Sequence, residues 1–77
     1  MKKDKNIKLE MLYEYFRDIM FKSVNRVNDP QMVASTMLGL ALRLYKSTLT
    51  KKEYAEMLQV VNKHAKIIRP FNERVLH

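Results

Sequence analysis

The chain has no cysteine and no tryptophan, and only one glycine, two prolines and two histidines among its 77 residues. Without cysteine there is neither a disulfide framework nor a thiolate metal cluster, and His64 and His77 are too few and too separated to hold a metal alone. A single glycine excludes the glycine-rich loops that cradle phosphates. So little glycine and proline, with 47% apolar residues, places the chain among helical globular proteins and away from disordered ones. Long apolar runs are also missing. The most apolar stretch, Met32 to Leu42, is interrupted by Ser35 and Thr36 and falls short of the roughly 20 residues that span a bilayer. The basic start, Met1 to Lys8, resembles the charged end of a signal peptide, but Glu10, Glu14, Arg17 and Asp18 follow where an apolar stretch is required. A cytoplasmic protein without membrane insertion is expected.

Acidic residues are scarce as well. Eight of them face fifteen lysines and arginines, for a net charge of +7. Such an excess suits an acidic partner, either nucleic acid or an acidic protein surface, although charge spread over several helices also serves solubility. The small size matters for stability, because folding at this length removes only about 60% of the surface that the unfolded chain exposes. With disulfides and metals excluded, self-association is the remaining means of stabilisation, and a homo-oligomer is expected.

One all-α domain of three helices is predicted. Leu9, Leu12, Phe16, Ile19, Met20, Val24 and Val27 recur at intervals of mostly three and four, which predicts helix 1 over about 8–27 after a basic tail at 1–7. Glu14 with Arg17 and Asp18 with Lys22 are spaced to attract on its outer face. Asp29 can cap a second helix and Pro30 suits its first position, so helix 2 is predicted over 30–47. Its apolar residues, Val33, Met37, Leu40, Ala41 and Leu44 with Ala34, Leu38, Leu42 and Tyr45, extend so far around the cylinder that burial on more than one side is expected. Val33, Met37, Leu38, Leu42 and Tyr45 are the candidate self-association surface, and Gly39 is expected to permit a close helix approach. Thr50-Lys51-Lys52-Glu53 has the form of a capping box, and helix 3 is predicted over 51–69, with the stripe Tyr54, Met57, Leu58, Val61, Ala65 and Ile68. Pro70 ends it. Residues 70–77 form a tail in which Phe71, Val75 and Leu76 can fold back.

No catalytic constellation is visible, and neither an enzyme nor a cofactor is expected. Glu10 and Glu14 share a side of helix 1 beside lysines, as a solvated face does, and His64 lies between Lys63 and Lys66 on a polar side. Basic residues offer more. The tight connection at 47–49 brings Arg43, Lys46, Lys51 and Lys52 to one end of the molecule. Helix dipoles account for Arg43 and Lys46 at a helix end, and for Lys63, Lys66 and Arg69 likewise. They do not account for Lys51 and Lys52 at a helix start, where an anion would relieve the charge and free amides would help to bind it. Helices 2 and 3 could in outline form a DNA-binding helix-turn-helix, but Glu53 and Glu56 would face the phosphates. Non-specific contact with nucleic acid fits better than sequence reading.

The stretch Leu42-Arg43-Leu44-Tyr45-Lys46-Ser47-Thr48-Leu49-Thr50-Lys51-Lys52-Glu53-Tyr54, followed by Ile68-Arg69-Pro70-Phe71, resembles short helical accessory proteins of large contractile-tailed phages. The resemblance covers helix 2 to the tail and contains no catalytic motif. It implies an accessory protein acting on host or phage macromolecules in the host cytoplasm, and it carries no functional residues with it. The expected function is therefore that of a self-associating binding protein that engages an acidic partner through Arg43, Lys46, Lys51 and Lys52. The alternative is an inhibitor or adaptor that docks on a host protein through Tyr13, Tyr15 and Phe21. A third reading is an oligomer that sequesters a small anionic nucleotide.

Overall fold

The computed structural model describes the backbone of residues 2–71 and the side chains of residues 5–71. The chain is all-α: α1 spans Lys2–Val27, α2 spans Pro30–Thr48 and α3 spans Lys51–Ala65, with no strand among the described residues. It divides into two units, Met1–Val33 and Ala34–His77, so the first holds α1 and the opening turn of α2, and the second holds the rest of α2 with α3.

In the first unit, α1 begins at Lys2 and not near residue 8, so the segment predicted as a basic tail forms the first two turns of the helix. Residues 2–8 contain neither glycine nor proline and four of the seven are lysine, a good helix former, so a helix already nucleated by the 9–27 pattern extends through them at little cost. The other end of α1 is closed by Asn28, which takes a left-handed conformation (φ 58°) and donates its amide to the Val24 carbonyl at 2.7 Å. Asparagine tolerates this conformation where most side chains do not. Asp29 then caps α2 as predicted. Its Oδ1 accepts the Met32 amide at 3.1 Å and its carbonyl accepts the Val33 amide at 3.2 Å. Pro30 occupies the first helical position, where its missing N–H costs nothing. Val24 and Val33, on the two sides of this corner, are the buried apolar residues among those described, with Met20, Phe21, Ser23 and Asp29 half-buried.

In the second unit, α2 and α3 are joined by Leu49 and Thr50 alone. The hydroxyls of the last turn of α2 bond backward. Ser47 donates to the Arg43 carbonyl at 2.8 Å, and Thr48 donates to those of Leu44 and Tyr45 at 3.0 and 3.3 Å. The predicted capping box is complete: Thr50 Oγ1 accepts the Glu53 amide at 3.2 Å and Glu53 Oε1 accepts the Thr50 amide at 2.9 Å. Leu42, Leu49, Tyr54 and Met57 are half-buried across this turn.

Three expectations change. Helix 3 stops at Ala65, before the predicted 69, with the Ile67 and Ile68 amides both bonded to the His64 carbonyl. Pro70 disfavours helical geometry at Arg69 and supplies no amide, so the final turn lacks the bonds that would hold two β-branched isoleucines in a helix. Ile68 consequently leaves the stripe of α3 and is exposed. Helix 2, expected to be covered on several sides, has one buried residue, Val33. Gly39, expected at a close approach, has open space: a Cβ placed there meets nothing within 4 Å. Gly39→Ala is therefore expected to raise stability by about 1 kcal/mol, or a few degrees in Tm by thermal circular dichroism, through helix propensity alone. A lowered Tm would mean that a second chain packs against Gly39. Of the tail, Val75 and Leu76 lie outside the described residues, and Phe71 is exposed.

Candidate basic site

Arg43 and Lys46 belong to the last two turns of α2, and Lys51 and Lys52 open α3. Because only two residues separate the helices, the four cations converge on the turn end of the second unit, and all four are exposed. One contact across the turn is explicit. The Lys46 ammonium lies 5.6 Å from the centre of the Tyr54 ring, within the range in which a cation is drawn to an aromatic face. Sequence reasoning placed Tyr54 in the apolar stripe of α3 and missed this role. The signal was a lysine and a tyrosine on either side of a tight capped turn, but their approach depends on the angle between two helices, which no local pattern specifies.

The charge around this end is one-sided. Positions 30–52 hold no acidic residue at all, and from Ala34 to Phe71 seven lysines and arginines face Glu53 and Glu56. Glu53 is committed to the capping box, which sets its carboxylate against the Thr50 amide at the start of α3. There it offsets part of the unfavourable interaction between Lys51, Lys52 and the positive helix end. With the Thr50 and Glu53 amides held by the box and the Tyr54 amide bonded to the Thr50 carbonyl at 2.8 Å, the Lys51 and Lys52 amides remain for solvent or a ligand. The arrangement suits a flexible anion with several charges spread over some distance.

The remaining candidates are placed as follows. Among the residues read as a self-association surface, Val33 is buried within its own unit and is therefore not open to a second chain, Leu42 is half-buried, and Met37, Leu38 and Tyr45 are exposed. In the aromatic set, Tyr13 and Tyr15 are exposed whereas Phe21 is half-buried. The Arg17 guanidinium lies 5.8 Å from the Tyr13 ring centre, one turn away, so the attraction expected toward Glu14 is replaced by a stacking contact. Asp18 and Lys22 form their ion pair at 3.7 Å, fully solvated and worth a few tenths of a kcal/mol. Met11, Glu14, Tyr15, Arg17 and Asp18 line a shallow open depression that belongs to α1 alone. Glu10, Glu14 and His64 are exposed, and no group of three or more potential metal ligands occurs among the described residues. No described helix is long and apolar enough to cross a membrane. Comparison with protein-family models, with curated proteins and with solved structures returns no match to this chain.

Proposed function

We propose that the protein is a non-enzymatic binding module that self-associates and holds nucleic acid through the turn end of its α2–α3 hairpin. One observation carries this reading: the two-residue connection gathers Arg43, Lys46, Lys51 and Lys52 at one end of a stretch, 30–52, in which no acidic residue dilutes them. Solvent-exposed lysines and arginines and two open helix-start amides together suit a phosphate backbone, which rewards charge number over shape. Self-association is supported by the apolar surface left exposed on α2, including Met37, Leu38, Leu40, Leu44 and Tyr45. It would also repeat the basic end in each assembly, and repeated weak sites on one strand bind far more tightly than one. The setting we propose for such a module is the cytoplasm of an infected host, on the resemblance of residues 42–54 and 68–71 to phage accessory proteins alone.

A second reading is favoured by the exposure of Tyr13 and Tyr15, which would suit docking on a host protein. Salt separates the two. If four phosphate contacts form, affinity for a DNA or RNA oligonucleotide is expected to fall about a hundredfold between about 50 and 200 mM salt through counterion release. In affinity purification of the full chain from its native cell, nuclease treatment should release the bound material. Captured material that resists nuclease and an affinity indifferent to salt would overturn the nucleic-acid reading in favour of protein docking.

A further inference from the structure

Leu9, Leu12, Phe16 and Ile19 are three, four and three residues apart, which sets them in one line along α1 at alternating a and d positions of a heptad. Their exposure is 66%, 53%, 52% and 42% in that order. At Ser23, the next position of the line, the side chain is half-buried, and neighbouring Val24 is down to 8%. The line is thus bare over its first two heptads and covered only where the first unit has its small core. Tyr13 and Tyr15 border it on its two edges, and the Tyr15 ring meets the Phe16 ring edge-on at 5.5 Å. Between Leu9 and Ile19 the edge positions themselves are the uncharged Tyr13 and Tyr15; Lys8 and Lys22 stand on the Tyr15 edge at the two ends of the bare part, and the Arg17 guanidinium lies over the Tyr13 ring.

We infer that this line is a two-fold interface in which a second copy of the chain lays its own α1 antiparallel against Leu9, Leu12, Phe16 and Ile19. The inference rests on the self-association reading above and gives it a surface other than α2. Area supports it. Covering a half-exposed side chain of this size removes on the order of 100 Å², so the four seam residues with Tyr13 and Tyr15 offer about 1,200 Å² over two copies, which is where specific interfaces begin. Direction follows from charge. Residues 2–8 hold four lysines and one aspartate, and parallel helices would set two such segments side by side, whereas antiparallel helices send them to opposite ends. In that register Leu9 lies opposite Ile19 of the second copy, and Leu12 lies opposite Phe16.

The absence of cysteine from the chain makes a clean test possible. In an antiparallel pair two copies of Tyr15 are within about 3 Å of each other along the helix axis, and two copies of Lys5 are about 27 Å apart. Tyr15→Cys in the full chain is therefore expected to give a covalent dimer with a short bismaleimide, and Lys5→Cys is not. Adding Leu12→Glu to Tyr15→Cys should abolish the cross-link while the helical circular dichroism signal stays, because Leu12 is half-exposed within the chain. Equal cross-linking of Lys5→Cys, or a cross-link that survives Leu12→Glu, would overturn the inference. So would a parent protein that sediments as an oligomer while neither cysteine variant cross-links, and self-association would then stand on another surface. A parent that sediments at 9.2 kDa at every concentration overturns both together.

Discussion

If the protein self-associates through α2 as proposed, Leu38→Glu is expected to lower its sedimenting mass by at least half. Leu38 is 57% exposed within the chain and belongs to the apolar arc of α2 that also presents Met37, Leu40, Leu44 and Tyr45. In an isolated chain, a charge at so open a position changes stability by no more than about 0.5 kcal/mol. Inside an interface the same carboxylate loses its water and finds no partner, at a cost of several kcal/mol, which amounts to a factor of thousands in the association constant. The two situations therefore separate widely. Analytical ultracentrifugation at micromolar concentration reads the mass, and circular dichroism verifies that the helices persist. An unchanged mass would remove α2 from the assembly surface and leave α1 as the candidate.

The double substitution Lys51→Glu and Lys52→Glu is expected to weaken binding to DNA or RNA by about a hundredfold at about 0.1 M salt, with roughly tenfold for each lost phosphate contact. The slope of log affinity against log salt should fall by about 2 in the same experiment. Thermal stability should hold or rise by a few tenths of a kcal/mol per site, because glutamate at a helix start complements the dipole that lysine opposes. Crowding with Glu53, already bonded to the Thr50 amide, moderates that gain. Opposite movement of binding and stability is the signature sought, since general damage to the fold would lower both. If the double variant binds nucleic acid as the parent does, Lys51 and Lys52 are ordinary solvated charge. The Tyr13 and Tyr15 surface would then take precedence, with Tyr15→Ala as its test.

Much of the helical framework was legible because its signals are local. Asp29 and Thr50 cap helices through bonds to residues three positions on, and such bonds depend on the chain between them and on little else. The 3.6-residue period of α1 needs no neighbour to be read. Boundaries were harder where propensity and context compete. At the start of α1, lysines that looked like a tail continue the helix, and at the end of α3 the influence of Pro70 reaches back past Arg69 to Ala65. That Arg43, Lys46, Lys51 and Lys52 flank one turn was legible, since the turn between them is short. Its inner arrangement was not: Lys46 against Tyr54 and Arg17 against Tyr13 depend on side-chain directions that spacing leaves open.

Residue order by itself determined three helices, their caps and the concentration of positive charge between Asp29 and Glu53, because these follow from interactions spanning three or four positions and from composition. Only the tertiary structure decided which apolar residues are covered. Leu9 and Val24 have similar apolar character and sit on the same helix, yet one is open and the other buried. The difference arises because burial depends on what a distant part of the chain brings alongside, as the α1–α2 corner does for Val24 and Val33, and a sequence period marks a face without saying what will cover it.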